Sequence, residues 1–364
     1  MVPNRLYWLF VIVFFIATLI KNPFISVLFF TSFLVTAILV PLWIKRAHKA
    51  KLVGRDMHKP GYPEVAELGG VPLLIGFLAG VFLFVALRIF YFESTTTGGL
   101  AKNDPLLQIM TLLLTVMLVA FIGIIDDILG WKIGLKQWQK PMLVLLAALP
   151  LSTIDVGHSI MKIPYLGSID FEILFPFIIV PVVITITANG FNLIAGYNSL
   201  EAGMGIIILS TIGYIAYIKY TSYLPIIALC MVFSLLAFLY YNKFPARIFP
   251  GDVMTYSVGV LVGGLAILGN MEKAALILYT PYIIEFFLKM RGRFKKESFA
   301  KFDSNNSLIQ PYQKIYGLEH LAINLIGRFK KVTEKDVVYF IFGLELVFAV
   351  LAILSVHNIF SLLN

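Results

Sequence analysis

Apolar segments of roughly membrane-spanning length recur along almost the whole sequence, separated by short polar loops. A transmembrane helix needs about 20 mainly apolar residues, because the hydrocarbon core of a bilayer is about 30 Å thick and a helix rises about 1.5 Å per residue. The sequence therefore predicts an all-α, polytopic membrane bundle. The eleven apolar segments are 6–20, 24–44, 69–92, 105–129, 138–154, 171–188, 203–218, 223–242, 253–270, 273–288 and 336–357.

The composition excludes other classes of chain. Hydrophobic residues make up 59% and charged residues 13%, whereas soluble domains average about 45–50% and about 25%. Disordered chains need low hydrophobicity, so disorder is excluded as well. The single cysteine, Cys230, excludes an intramolecular disulfide and a cysteine-based metal site. The net charge of +9 is spread between apolar runs, so we expect a lipid bilayer and no nucleic acid as partner.

The first apolar segment, 6–20, is one of the shortest. Arg5 precedes it, Lys21-Asn22-Pro23 follows it, and no cleavage site of small residues is present. We therefore predict a retained helix rather than a cleaved signal. Residues 1–23 would form an extra N-terminal hydrophobic segment, and 24–364 would form one membrane domain of ten helices.

The distribution of Lys and Arg predicts the orientation of the bundle. If the N-terminus is cytoplasmic, 23 of the 29 Lys and Arg residues lie on the cytoplasmic side and six on the other. Cytoplasmic loops carry an excess of these residues, so this orientation is favoured. The cytoplasmic loops would be 45–68, 130–140, 189–202, 243–252 and 289–335.

Acidic and amide residues gather on the same predicted side. Asp126 and Asp127 follow an uncharged run, 105–125, and two adjacent carboxylates repel each other unless a cation, a proton or a ligand intervenes. The stretch 186–205, ITANGFNLIAGYNSLEAGMG, contains three Asn residues, Glu201 and four Gly residues, and no Lys or Arg. A hydrated helix end and a capped polar turn are the plainer interpretations.

Two further features lie on this face. Asp252 follows Pro250-Gly251 directly before an apolar segment, where it could simply cap a helix. Arg291 and Arg293 follow the tenth segment, where they could clamp a diphosphate or bind anionic lipid. Acids, amides and a basic pair on one membrane face together predict metal-assisted phosphoryl transfer.

The motifs GIIDD, NGFNLIAGYNSLEAG and RIFPGD, in this order on a multi-span chain, resemble the polyprenyl-phosphate N-acetylhexosamine-1-phosphate transferase family. Members move a sugar-1-phosphate from a UDP-sugar to a lipid phosphate and release UMP. The likeness covers about residues 24–357 and is greatest to the branch that uses dolichyl phosphate. It implies transfer of GlcNAc-1-phosphate from UDP-GlcNAc to dolichyl phosphate, the first lipid-linked step of protein N-glycosylation.

The resemblance also implies roles for individual residues. Asn192 and Asp252 would ligate Mg²⁺, with Mn²⁺ as a substitute. Asp126, Asp127 and Lys136 would be catalytic, since Lys136 lies ten residues past Asp126 as the family's phosphate-binding lysine does. Lipid-phosphate contacts are implied for Thr185, Asn189 and Asn192. UDP-sugar contacts are implied for Gly54, Arg55, Asp56, Glu67, Lys136, Asn198, Arg291, Gly292 and Arg293.

The chain departs from the family pattern at three places. It reads AGYNS at 195–199, where bacterial branches have D-G-x-D-G. Gly292 replaces a His between two Arg, so the imidazole of that His is absent here. Gly130 stands where bacterial members carry the last Asp of a DDxxD motif, so a third carboxylate is absent there.

Alternatives remain open at the level of the sequence. The chain could act on undecaprenyl phosphate or on another UDP-N-acetyl sugar, or it could be a membrane transporter. Transporter sites lie near mid-membrane, whereas 105–125 and 253–270 carry no acid, which favours the enzyme. We expect an integral membrane protein whose active site faces the cytoplasm, in the cell membrane of an archaeon or the endoplasmic reticulum of a eukaryote, and homodimerisation is possible.

Overall fold

The computed structural model describes residues 23–92, 105–154, 160–163, 167–219, 223–303 and 307–356. The predicted N-terminal segment 6–20 therefore lies outside the described residues. Within them the helices, in chain order, are α1 Pro23–Ala50, α2 Gly70–Leu87, α3 Pro105–Ile133, α4 Gln139–Ala147, α5 Leu149–Ser152, α6 Val180–Phe191, α7 Leu200–Ile218, α8 Leu224–Asn242, α9 Gly251–Leu268, α10 Glu272–Leu278, α11 Thr280–Arg291, α12 Leu318–Ile326 and α13 Glu334–Val356. Short π-helical stretches follow α2 at Arg88–Phe92 and precede α6 at Phe175–Ile179.

The predicted all-α membrane bundle is confirmed. Among the described residues, seven helices are long and apolar enough to cross a bilayer, and Phe175–Phe191 forms a shorter apolar helix. The seven spans are Pro23–Ala50, Gly70–Tyr91, Pro105–Gly130, Leu200–Ile218, Leu224–Asn242, Gly251–Leu268 and Glu334–Val356. The protein is therefore an integral membrane protein.

Two predicted spans are not single helices. Segment 138–154 is divided into α4 and α5, and segment 273–288 into α10 and α11. A proline lies in the first turn after each break, Pro150 in α5 and Pro281 in α11. Proline lacks a backbone N–H and clashes with the carbonyl group four residues earlier, so it interrupts a helix. Each of these two apolar segments is therefore interrupted and is not one continuous helix.

Three two-stranded antiparallel hairpins lie outside the helices. They are β1 Val53–Arg55 with β2 Glu64–Ala66, β3 Ile160–Ile163 with β4 Gly167–Asp170, and β5 Lys301–Phe302 with β6 Leu308–Ile309. In the first hairpin Gly54 pairs with Val65. A parallel bridge between Ala66 and Ile248 joins this hairpin to the loop before α9, so two predicted cytoplasmic loops meet next to the start of α9.

Helix α9 lies at the centre of the bundle, and its residues Val253–Ile267 are buried. Its first turn is approached closely by α3 at Gly123, where an added Cβ would lie 2.7 Å from the Val253 nitrogen and 2.8 Å from the Asp252 carbonyl carbon. Real Cβ contacts are never this short, so only glycine permits this approach. Because Asp126 lies one turn after Gly123, the close packing places the acidic pair beside Asp252.

Candidate active site

Three carboxylates predicted from separate motifs meet where α3 ends and α9 begins. The Asp127 Oδ1 atom accepts a hydrogen bond from the backbone N–H of Asp252 at 3.0 Å, and its Oδ2 atom accepts one from Val253 at 3.4 Å. The residue preceding α9, Pro250, provides no side-chain cap. Asp127 therefore caps α9 from a neighbouring helix and fixes the backbone that carries Asp252.

The lysine at this site is Lys140. Its Nζ atom lies 2.6 Å from Asp126 Oδ2 and 2.8 Å from Asp252 Oδ2, so one ammonium group bridges two carboxylates from different helices. The predicted lysine, Lys136, is exposed four residues earlier, and its backbone N–H donates to Gln139. The sequence offered no signal that separates these two lysines, because both lie in the predicted cytoplasmic loop 130–140.

The predicted metal ligands Asn192 and Asp252 are in direct contact. The Asn192 Nδ2 atom donates to Asp252 Oδ1 at 3.0 Å, and the Thr255 hydroxyl donates to Asn192 Oδ1 at 3.1 Å. Asn192 follows the last residue of α6, so the packing of α6 against α9 joins residues sixty positions apart. Thr255, which completes this contact, was not predicted from the sequence.

A cavity of about 240 Å³ opens beside Asp252 and Asn192. Four other predicted residues line it, namely Gly54, Arg55, Asp56 and Glu67. An added Cβ at Gly54 would touch the Glu67 carboxylate, so glycine lets the β1 backbone lie against this acid. Burial raises the pKa of Glu67. The rest of the lining comprises Met57, Ala195, Gly196, Tyr197, Glu201, Asn242, Phe249, Pro250, Gly251, Thr255 and Phe299.

Asn198 lies behind this cavity in a buried polar network. Its Nδ2 atom donates to Asp56 Oδ2 at 3.1 Å, while its Oδ1 atom accepts from the Ala246 N–H at 2.7 Å and from Lys59 Nζ at 3.2 Å. Its own N–H donates to Glu334 at the start of α13 at 2.7 Å. Asn198 therefore joins four segments of the predicted cytoplasmic face. Lys59 and Glu334 were missed by the sequence analysis.

Asp56, His58 and Glu334 are close enough together to hold a metal ion. However, Lys59 Nζ lies 3.1 Å from Asp56 Oδ2 and forms a second ion pair with Glu334. Its positive charge already balances these acids. Burial lowers the pKa of His58 to about 4, and the His58 ring stacks on Tyr197 with 4.0 Å between centroids. These contacts favour a structural role for the group.

Several predicted residues are not brought into this cluster. Thr185 and Asn189 lie on α6, where the Asn189 amide donates to the Thr185 carbonyl at 2.9 Å. Their spacing from Asn192 places all three along one face of the helix. Arg291 and Arg293 are both exposed, and neither lines the cavity.

Gly292 leaves little room for the family's histidine. An added Cβ would lie 3.0 Å from Lys296 Cγ and 3.1 Å from Tyr316 Cδ1. The loop that follows does approach the site, because Gln137 Nε2 donates to the Phe294 carbonyl at 3.2 Å. Lys289 of α11 also approaches the site, because its Nζ atom donates to the carbonyl group of Leu193, next to Asn192, at 2.6 Å.

Comparison with known proteins shows the family of this chain. The model of glycosyl transferase family 4 matches residues 109–270. A Saccharolobus solfataricus protein is 40% identical over 333 residues, which cover 91% of this chain and 95% of the relative. The chain belongs to glycosyl transferase family 4.

Two further relatives carry the names of related enzymes. A Saccharomyces cerevisiae protein named UDP-N-acetylglucosamine–dolichyl-phosphate N-acetylglucosaminephosphotransferase is 25% identical over 77% of this chain and 71% of its own length. The Saccharolobus solfataricus relative carries the same name provisionally. A Clostridium beijerinckii protein named phospho-N-acetylmuramoyl-pentapeptide-transferase is 28% identical over 70% of this chain and 77% of its own length.

The residues matched to the family model include the whole acidic cluster. Asp126, Asp127, Lys140, Asn192 and Asp252 all fall between 109 and 270. The loop 289–335, which carries Arg291 and Arg293, lies outside the matched range. We therefore base the proposed function on this cluster, which α3, α4, α6 and α9 bring together.

Gly251→Ala should disturb this cluster without unfolding the bundle. Gly251 has a φ of +70°, and an added Cβ would meet the Asp127 carboxylate. Because a displacement of about 1 Å among reacting groups costs on the order of a hundredfold in rate, we expect a loss of turnover of that order. UMP release and thermal unfolding would be measured together.

Gly61→Ala is the matched control for this change. Gly61 also has a positive φ of +79°, but an added Cβ meets no atom within 4 Å. Both variants carry backbone strain, and only Gly251→Ala should lose turnover. Equal turnover in the two variants would show that the Asp127 contact at Gly251 has no role in activity.

Proposed function

We propose that the protein transfers N-acetylglucosamine-1-phosphate from UDP-N-acetylglucosamine to dolichyl phosphate, forming GlcNAc-diphospho-dolichol and UMP. The observation that carries the proposal is the convergence of Asp126, Asp127, Asp252 and Lys140 beside a cavity at one end of apolar helices. The names of the archaeal and yeast relatives support the substrates.

The reaction is a phosphoryl transfer at the sugar-bearing phosphorus of UDP-N-acetylglucosamine. A phosphate oxygen of the lipid forms a new P–O bond to this phosphorus, and the P–O bond to the UMP portion breaks. Both substrates carry negative charge, so positive groups must offset their repulsion. Lys140 supplies one such charge at the site, and the apolar helix faces next to it suit a lipid acceptor.

The donor set suits a hard divalent cation. The Oδ2 atoms of Asp126 and Asp252 converge on the Lys140 ammonium, and the side-chain amide of Asn192 lies beside Asp252, to which its Nδ2 atom donates. Mg²⁺ prefers oxygen ligands and usually takes only one or two carboxylates from protein. Asn192 and Asp252, with Asp126 beside them, would hold it, and it would neutralise diphosphate charge when bound. Mn²⁺ would substitute for it.

The cavity lined by Gly54, Arg55, Asp56 and Glu67 is proposed to receive the UDP portion. Asn198 would act by holding Asp56 in place, since its side chain already bonds to Asp56, Ala246 and Lys59. Thr185 and Asn189 would extend from Asn192 toward the lipid phosphate. Arg291 and Arg293 remain candidates for sugar or diphosphate contact, and homodimerisation stays a prediction.

A UMP-release assay tests the function directly. Purified protein in detergent would be given UDP-N-acetylglucosamine with dolichyl phosphate, and each substrate would be omitted in turn as control. The panel would add undecaprenyl phosphate, UDP-N-acetylgalactosamine and UDP-N-acetylmuramoyl-pentapeptide. Release only with another pair would replace the proposed substrates, and no release with any pair would overturn the proposal.

We also propose that the active site faces the cytoplasm. The support is the excess of Lys and Arg in the loops that carry the site. Lys331→Cys provides a test, because Lys331 is exposed shortly before α13 and the native Cys230 is buried. We expect an impermeant thiol reagent to label it only in opened cells. Rapid labelling of intact cells would contradict this orientation.

A further inference from the structure

The ammonium group of Lys140 lies at the point where a cation shared by two aspartates would lie. Asp126 Oδ2 is 2.6 Å from Nζ and Asp252 Oδ2 is 2.8 Å from it, and both side chains are mostly buried. Lys140 is in the first turn of α4, whereas Asp126 and Asp252 lie in α3 and α9. The three groups therefore meet only through helix packing.

A divalent cation bound between Asp126 and Asp252 would use these same Oδ2 atoms, because Asp126 Oδ1 already accepts from the Leu135 N–H and Asp252 Oδ1 from Asn192 Nδ2. Mg²⁺ binds oxygen at about 2.0–2.1 Å, so an ion shared by these carboxylates would stand very close to the lysine nitrogen. Two cations at such a separation repel strongly in a partly buried site. The carboxylates can hold the ammonium or the ion at this point, but not both.

We propose that Lys140 and the divalent cation compete for Asp126 and Asp252, and that binding of the ion frees the Lys140 ammonium for the diphosphate of the substrate. The last part rests on the proposed function. The exchange replaces a charge of +1 by +2 among three carboxylates, since Asp127 is also held beside Asp252. Lys140 would therefore pair first with the two carboxylates and then with the diphosphate.

Replacing Lys140 should therefore have two opposite effects, one on catalysis and one on the binding of the ion. Removing Lys140 should weaken catalysis, because the diphosphate loses a positive partner. It should also strengthen the binding of the ion alone, because no ammonium has to leave the carboxylates first. Removing a lysine that only held the helices together, away from the position of the ion, would not increase the affinity for a divalent ion.

Mn²⁺ binding to the purified chain in detergent, without nucleotide, tests this directly by electron paramagnetic resonance. We expect Lys140→Gln to bind Mn²⁺ at least about tenfold more tightly than the wild type, because a charge-assisted hydrogen bond to each carboxylate is removed. Lys140→Met serves as a second variant of similar length if Lys140→Gln unfolds. Affinity equal to or weaker than wild type, or no Mn²⁺ binding by any protein, would overturn the proposal.

Lys136→Gln is the matched control, since it removes the same charge from an exposed lysine four residues away. Its Mn²⁺ affinity should equal that of the wild type, and an increase equal to that of Lys140→Gln would reduce the effect to net charge and overturn the proposal. The measurement uses no substrate, so its result is independent of the UMP-release assay. Failure of that assay with tighter Mn²⁺ binding in Lys140→Gln would overturn the proposed substrates and leave the competition standing.

Discussion

Asp252→Asn is expected to lower UMP release by about 10²–10³-fold, the usual effect of removing one preorganised electrostatic group from an active site. The Asp252 side chain accepts from Lys140 Nζ at 2.8 Å and from Asn192 Nδ2 at 3.0 Å. The change removes the negative charge on which these groups and the proposed cation depend. The fold should persist, because Asp127 still caps α9 through backbone N–H groups.

The measurement is the rate of UMP release over a range of Mg²⁺ concentrations, with EDTA as the metal-free limit. Asp303→Asn is a matched control in the β5–β6 hairpin, where Asp303 Oδ1 accepts from the Ser307 N–H at 2.8 Å. It should keep wild-type turnover. Full activity of Asp252→Asn, or full wild-type activity in EDTA, would leave Asp252 as part of a structural contact only.

The second large effect separates the two adjacent aspartates, which the sequence left undivided. Asp126 pairs with Lys140 and accepts from the Leu135 N–H at 2.6 Å, whereas Asp127 caps α9. Asp126→Asn and Asp127→Asn should each lower turnover by about 10²-fold or more. Asp127→Ala should also lower the free energy of unfolding, by about 1 kcal/mol, because it removes a helix cap.

Thermal unfolding of Asp126→Ala, Asp127→Ala and Asp127→Asn in the same detergent would check this division. Asp127→Asn should recover much of the stability lost in Asp127→Ala, since asparagine also caps helices well, but it should not recover turnover. Equal unfolding temperatures for the two Asp127 variants would contradict the capping role. Wild-type turnover in both asparagine variants would remove the pair from the active site.

Much of the architecture followed from hydropathy, because a bilayer allows few solutions for an apolar chain. The spans α1, α2, α3, α7, α8, α9 and α13 correspond to predicted apolar segments. The broken spans were missed because the apolar pattern does not reveal how neighbouring helices accommodate the breaks at Pro150 and Pro281. Such breaks depend on packing as well as on the local sequence.

The candidate site was predictable wherever a motif places a polar residue at a helix end. Asp126, Asp127, Asn192 and Asp252 were all identified in this way, and they lie together. The exposed positions of Arg291 and Arg293 were not predictable, because the path of a loop depends on its tertiary contacts. Nor could the sequence show that Asn198 uses its polar atoms inside the protein rather than at a ligand.

The sequence by itself determined a polytopic helical membrane protein and the helix ends that carry its acids. The length of an apolar segment and the polar residues at its ends are local properties of the chain. Only the tertiary structure decided that Lys140 rather than Lys136 meets these acids, and that Asp127 caps a helix beginning more than a hundred residues later. Both lysines lie within four residues of each other, so spacing along the chain cannot separate them. Their side chains differ in partners because Lys140 belongs to the first turn of α4, and the packing of α3 against α9 brings Asp126 and Asp252 together within its reach.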